Sequence, residues 1–345
     1  MTIGELVRRL AGRRTSILLK SFRALAAALA LSLGLTSAAR AEDIVVTHYA
    51  SLLYGTPYAV ALDKGFFKQA GVDVSSILTS KGGGTSVRNM MAGDTLFAEV
   101  AFPAALSALK EGFPIKIISG GTAGPSSFWV TRPDVKIDTP EDLKGKRFVY
   151  SRPKSVSESS IFAVLKSHGL KPSDVQMIAI GDFGAGLTAL EHNKIDIAII
   201  PEPIYSQKMK AGAKYKIIPW LDSKLPPYTQ TVGIATNDMI AKKGAQLAAV
   251  IEGRRKGTDV LYSDQKATAA ALAKAYNLPI DIATSALAGI LKQTPTWWSR
   301  GALDIKQMEL SAQSLKDTGA FEGDVDWKAA IDDRFIPKDL QSKTQ

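Results

Sequence analysis

Short apolar runs alternate with helix-length amphipathic stretches over the first two thirds of the chain. Residues 44–49 (IVVTHY), 72–78, 95–101 and 115–119 read as strands, with helices at 57–69, 85–92 and 104–111 between them. Pro57 suits a first helical turn, where a missing N–H is no loss. Strands and helices in this alternation predict parallel α/β units. A further strand at 127–131 (SFWVT) leads elsewhere, and a second set of units follows, with strands at 147–151, 175–180, 195–200 and 215–219 and helices at 156–168, 187–192 and 204–211. Residues 229–235 (TQTVGIA) resemble a strand running back, and from Ala241 onward the pattern is helical, at 247–262, 266–276, 280–291 and 304–317. This order predicts one lobe interrupted by another. Lobe one is expected at 42–128 plus 236–345 and lobe two at 129–235, with strands near 128–131 and 231–234 crossing as a two-strand hinge. Each lobe is expected to hold a mixed, mostly parallel sheet flanked by helices.

The first 41 residues stand outside this scheme. Arg8, Arg9, Arg13, Arg14, Lys20 and Arg23 precede the apolar run ALAAALALSLGL at 24–35, and TSAARA follows with Ala39 and Ala41 at small-residue positions. Basic, apolar and A-x-A segments in that order describe a secretory signal, expected to be cleaved after Ala41. The run is 12 residues long, short of the roughly 20 that span a bilayer. GRRTSILLK lacks the Phe-Leu-Lys run of twin-arginine signals, which favours the general secretory route. The segment carries seven basic residues, Arg40 included, against one acid, so without it the formal charge drops from +10 to +4. The basicity therefore gives no reason to expect a nucleic-acid partner, and no Lys/Arg cluster with interleaved aromatics occurs in the remainder.

The chain has no cysteine, which excludes disulfides, thiolate metal sites, thiol nucleophiles and a lipid-modified Cys at the cleavage site. The expected product is a soluble periplasmic monomer. No HExxH, GxSxG or metal-ligand spacing occurs, and no GxxxxGK[ST] phosphate loop. No catalytic residue, metal or cofactor is expected, and the chain reads as a non-enzyme. Of the three histidines, His168 and His192 lie near helix ends, where positive charge suits the dipole.

Six segments together resemble a known family. They are TPYAVALDKGFFKQAGVDV at 56–74, GGGTSVRNMMAGD at 82–94, KEGFPIKIISG at 110–120, DTPEDLKGKRF at 138–148, HGLKPSDVQ at 168–176 and ALEHNKIDIAIIPEP at 189–203. In order and spacing this is similar to the periplasmic substrate-binding proteins of importers for nitrate, alkanesulfonates and taurine, within a superfamily that includes thiamine-precursor proteins. The likeness covers roughly 42–240. It implies a two-lobe, type II-like periplasmic binding fold that closes on one small molecule and delivers it to an ABC permease in the inner membrane. One enzymatic branch of the superfamily uses a cysteine-rich motif that this chain lacks.

Ligands of open α/β lobes sit beyond the C-terminal ends of strands, where helices begin. The candidate contacts are therefore the residues at those junctions. In lobe one they are His48, Tyr49, Ser51 and Tyr54 after the first strand, and Gly82, Gly83, Gly84, Thr85 and Ser86 after the second. Glycines there let backbone approach a ligand, and Thr85 or Ser86 can cap a helix or donate to an oxyanion. Phe102 and Thr122 follow the third and fourth strands. In lobe two, Ser151, Arg152, Ser155 and Ser157 form a hydroxyl-rich junction in which Arg152 would fork onto an anion. Asp182, Phe183 and Glu202 follow later strands. Glu99, inside a strand, needs a partner if inward, with Arg88 or a ligand amine as candidates. Trp297, Trp298 and Trp220 read as packing anchors.

The leading reading is a binding protein for a sulfonate, taurine or nitrate. The alternatives are a thiamine-type pyrimidine or aromatic carboxylate stacked on Tyr49, Tyr54, Phe102 and Phe128, and a ligand sensor that signals to a membrane receptor.

Overall fold

A computed structural model describes residues 42–47, 51–80, 82–93, 95–225 and 227–341. The expected signal segment lies outside the described residues, as do His48 and Tyr49. The first strand, β1 (Glu42–Thr47), is buried except for Asp43. It lies inside a sheet, with β2 (Val74–Ser80) parallel on one side and β3 (Phe97–Ala101) parallel on the other. A strand covered on both faces needs the continuous apolar run that IVV supplies. The helix expected at 57–69 is two helices, α1 (Thr56–Asp63) and α2 (Phe66–Ala70). Gly65 separates them at φ 68°, a left-handed conformation that ends a helix and costs glycine little. Next come α3 (Gly84–Ala92), α4 (Phe102–Lys110) and β4 (Ile115–Gly120). The sheet is completed by β10 (Thr231–Thr236), antiparallel to both β3 and β4, in the order β2-β1-β3-β10-β4.

The second sheet repeats this layout. Its strands are β5 (Ser127–Thr131), β6 (Arg147–Tyr150), β7 (Gln176–Ala179), β8 (Ile197–Pro201) and β9 (Lys216–Ile217), in the order β7-β6-β8-β5-β9. Its helices are α5 (Val156–Ser167), α6 (Phe183–Glu191) and α7 (Ile204–Lys210). In each sheet the reversed strand is the one that has just arrived from the other sheet. The two crossing segments lie side by side. Gly124 N donates to Tyr228 O at 2.8 Å and Gln230 N to Thr122 O at 2.9 Å. The crossover thus falls between β4 and β5 and just before β10, beside the strands that carry the apolar pattern.

The chain ends in helices α8 (Asn237–Ser263), α9 (Gln265–Tyr276), α10 (Ile280–Gln293), α11 (Ile305–Asp317), α12 (Trp327–Ala330) and α13 (Lys338–Gln341). Helix α8 lies so close to α1 that a Cβ on Gly257 would come within 2.1 Å of Pro57 O. That approach brings Arg254 under the first sheet, where both it and Glu99 are 1% exposed at the side chain. Arg254 Nε donates to Glu99 Oε2 at 3.0 Å, and Arg254 Nη2 to Gly121 O at 2.9 Å. Tyr58 and Thr231 each donate a hydroxyl to Glu99 at 2.7 Å. The partner of Glu99 is therefore neither Arg88 nor a ligand amine. Arg88 is exposed and donates to Thr85 Oγ1. Arg254 stands 155 residues from Glu99, a pairing that only the folded α8 creates. Trp297 and Trp298 are buried packing anchors, as expected, and pack edge to face on each other at 4.7 Å. No helix among the described residues is long and apolar enough to cross a membrane.

Removing one partner of a buried ion pair leaves an uncompensated charge and costs about 3–5 kcal/mol. Arg254→Met should lower unfolding stability in urea by about that amount, and Tyr58→Phe by about 1.5–3 kcal/mol, the range for a hydrogen bond to a charged group. An unchanged urea midpoint for Arg254→Met would remove the pair from its structural role.

Candidate functional site

The C-terminal ends of the parallel strands in both sheets face one another across a cleft. It encloses a cavity of about 30 Å³. Thr47 ends β1, and Ser51 and Tyr54 follow it. Gly82 and Gly83 join β2 to α3. From the other sheet come Ser151, Ser155 and Ser157 between β6 and α5, Phe183 opening α6, Ser127 opening β5 and Pro201 closing β8. This is the crevice where ligands of open α/β sheets bind.

Two corners meet here. Gly83 has φ 54° and ψ −149°, and a Cβ on it would stand 2.8 Å from Pro153 O of the opposite corner. Only glycine combines that backbone conformation with so close an approach. On the facing corner, Ser157 Oγ lies 2.9 Å from Ser151 Oγ and 3.0 Å from Ser155 Oγ, and accepts the Ser151 N–H. Ser155 also caps α5 by accepting from Glu158 N, which fixes the corner to the helix start. The pattern Ser-x-x-x-Ser-x-Ser thus becomes a cluster of hydroxyls held by one another.

The floor is organised by Gln230, 1% exposed on the return crossing. Its Oε1 accepts from Tyr54 OH at 3.1 Å, Ser126 Oγ at 3.2 Å and Trp297 Nε1 at 3.1 Å. Tyr54 is the one titratable residue lining the cavity among the described residues, and burial pushes its phenol pKa well up, so it stays a neutral donor. Among the described residues no group of three His, Asp or Glu is placed to hold a metal ion.

Of the residues singled out by sequence, Ser51, Tyr54, Gly82, Gly83, Ser151, Ser155, Ser157 and Phe183 line the cavity. Gly84, Thr85 and Ser86 continue from Gly83 into α3. Ser86 is fully buried, with its Oγ 2.5 Å from Ser80 Oγ. Arg152 is half-buried in the serine turn and does not line the cavity. Asp182 caps α6 by accepting from Ala185 N at 2.8 Å. Three residues lie elsewhere. Phe102 stacks on Trp327, with ring centres 6.3 Å apart. Thr122 is hydrogen-bonded to Thr231 at 2.8 Å under the hinge. Glu202 accepts from the N–H and hydroxyl of Ser206, and burial pushes its pKa up. These three do not line this cavity, because a residue just past a strand end can turn toward a neighbouring helix instead of the crevice. Thr47, Ser127, Pro201 and Gln230 were missed. Nothing in TQTVGIA distinguishes Gln230, which acquires its role only when two crossings and the tryptophan loop converge.

A second polar link joins the second sheet to α10. Asp222 accepts from Trp129 Nε1 at 2.7 Å and from Gln293 Nε2 at 3.2 Å. Burial pushes its pKa up to about 6.

Residues 53–268 match the profile of the family described as NMT1/THI5 like. YtlA of Bacillus subtilis (strain 168), named as a binding protein, is 29% identical over 170 residues, which is 48% of this chain and 50% of YtlA. The chain thus spans about half the length of the curated relative it matches. The periplasmic aliphatic sulphonate binding protein SsuA of Escherichia coli superposes with a TM-score of 0.67 at 18% identity, over 84% of this chain and 91% of its own. The periplasmic nitrate-binding protein NrtA of Synechocystis PCC 6803 gives a TM-score of 0.67 at 13% identity, over 89% and 88%. The desulfurization enzyme DSZB is a looser match, with a TM-score of 0.55 at 14% identity over 85% and 97%. The likeness is one of fold, the two-lobed fold of ABC-type periplasmic binding proteins.

Gly83→Ala should hold the two corners apart and broaden the interlobe distance measured by small-angle scattering. A scattering profile identical to that of the parent chain would contradict the close approach at Pro153. For Asp222 the folded pKa, about 6, exceeds the ordinary aspartate value of 3.8. The stability that its protonated form confers is full below about 3.8 and is lost as pH rises through about 6. Asp222→Asn should therefore match the parent in urea unfolding near pH 4 and exceed it above pH 7. Parallel curves across that window would contradict the buried carboxylate.

Proposed function

We propose that this chain, which belongs to the NMT1/THI5-like family, is a periplasmic solute-binding protein that closes on one small anion and delivers it to the permease of an ABC importer. The observation that carries the reading is the interlobe cavity lined by hydroxyls from both sheets and by two glycines of the first, with no carboxylate among its described lining residues. Hydroxyls and backbone N–H groups are the donors that a nitrate or sulfonate head accepts from, and no fixed negative charge opposes it. Lys154, on the serine turn, is ion-paired with Glu111 across the cleft. The fold neighbours named for sulphonate and nitrate binding favour the same ligand class. Contacts from both lobes to one ligand exist together only when the cleft is closed, so the ligand shifts the population toward closure.

A second reading has one observation in its favour. Tyr54 and Phe183 bring two rings to the cavity, which would suit a thiamine-type pyrimidine or an aromatic carboxylate.

A thermal-shift panel separates the two. A ligand at 100 times its Kd stabilises the protein by about 2.7 kcal/mol, a shift of several degrees. Nitrate, taurine or an alkanesulfonate should raise the melting temperature, and benzoate and an aminopyrimidine should not. A shift with the aromatic compounds alone would select the second reading, and a shift with none of them would reject both. Ser51→Ala should weaken the responding anion about tenfold, as expected for one hydrogen bond to a charged group, with the unliganded melting temperature unchanged.

A further inference from the structure

A second and larger cavity lies between the lobes and shares no lining residue with the first. Its volume is about 260 Å³. One wall is the start of α4, where Phe102 and Pro103 are buried. The opposite wall is the Ala163 face of α5, from the second sheet, and Leu315 of α11 and Tyr228 of the return crossing complete it. Most of this lining is carbon. Three of the hydroxyls that line it are already committed. Ser159 Oγ donates to Val156 O, Ser167 Oγ to Val164 O, and Ser311 Oγ to Gln307 O while accepting from Thr229 N. What remains is an apolar pocket at a lobe interface, the usual form of a small-molecule site. An apolar cavity of about 150 Å³ accommodates benzene, so this one has room for a substituted ring or a chain of about eight carbons.

The charge at its edge is cationic. Lys166 is ion-paired with Asp317 across the two lobes. Lys224 also lines the cavity and has no ion-pair partner among the described residues. An ammonium beside an apolar pocket selects an amphipathic anion, with its body in the pocket and its head at the mouth. The cavity is also connected to the first. Gln230 Nε2 donates to Tyr228 OH at 3.3 Å, and the same side chain accepts from Tyr54 at 3.1 Å.

We propose that this cavity is a second ligand site, for an organic anion whose apolar body is one ring or about eight carbons long and whose carboxylate or sulfonate head is held at Lys224. Because α4 and α11 pack with the first sheet and α5 with the second, an occupant touches both lobes.

The test is calorimetric titration of the purified protein with octanoate, octan-1-ol and octylammonium. Octanoate should bind saturably, one per chain, and at least about tenfold more tightly than either analogue. Lys224→Gln should weaken octanoate about tenfold, Ser314→Phe should fill the pocket and abolish binding, and Ser51→Ala should leave it unchanged. Lys224 is exposed, so its substitution decides the matter even if Ser314→Phe fails to fold. The proposal is overturned if octanoate shows no saturable binding, if octanol binds equally well, if Lys224→Gln binds octanoate as the parent does, or if Ser51→Ala weakens it as much as Lys224→Gln.

Discussion

The ion pair between Glu99 and Arg254 is the constraint on which the architecture rests. Two charges taken out of water are tolerable only when each is met and the remaining donors and acceptors are filled. Here the carboxylate receives a guanidinium and two hydroxyls, and the guanidinium reaches Glu99 and the carbonyls of Gly121 and Ser299. Those partners come from β3, α1, β10, the crossing after β4 and the loop after the paired tryptophans. Satisfying this one pair therefore fixes the tail helix against the first sheet and holds the base of the hinge in place.

The hinge and the cleft follow from that anchorage. The two crossings are hydrogen-bonded to each other, and Gln230 ties the return crossing to Tyr54 in the cleft and to Trp297 in the tail. Motion between the lobes must then be concentrated where few such bonds cross. The cleft corners are of that kind. Their hydroxyls bond mainly within their own lobe, and the approach of Gly83 to Pro153 is a steric contact. The α10 contacts with the second sheet, through Gln293 and Asp222, form a lighter link on another face.

Much of the fold was legible because apolar periodicity reports burial directly. Strand β5 was read to its bounds, and the change to an all-helical tail at Ala241 is plain in the sequence. Serine and glycine corners were also legible, since Gly82-Gly83 and the run from Ser151 to Ser157 use residue types suited to strand–helix turns. Long-range pairing was not. Nothing local distinguishes Arg254 from the neighbouring Arg255, which is half-buried and pairs with Glu252 on its own helix. Gln230 is similarly unmarked. Glu202 and Phe102 were expected at the cleft and do not line its cavity, because position after a strand sets the neighbourhood of a side chain and only packing sets its direction.

The most direct measurement of the central claim is the interlobe distance with and without ligand. The chain has no cysteine, so spin labels can be placed at Asn89→Cys on α3 and Ala185→Cys on α6, both exposed. A bound small anion should collapse a broad distance distribution to one narrow, shorter peak. The same distribution at ligand saturation as without ligand would contradict capture by closure.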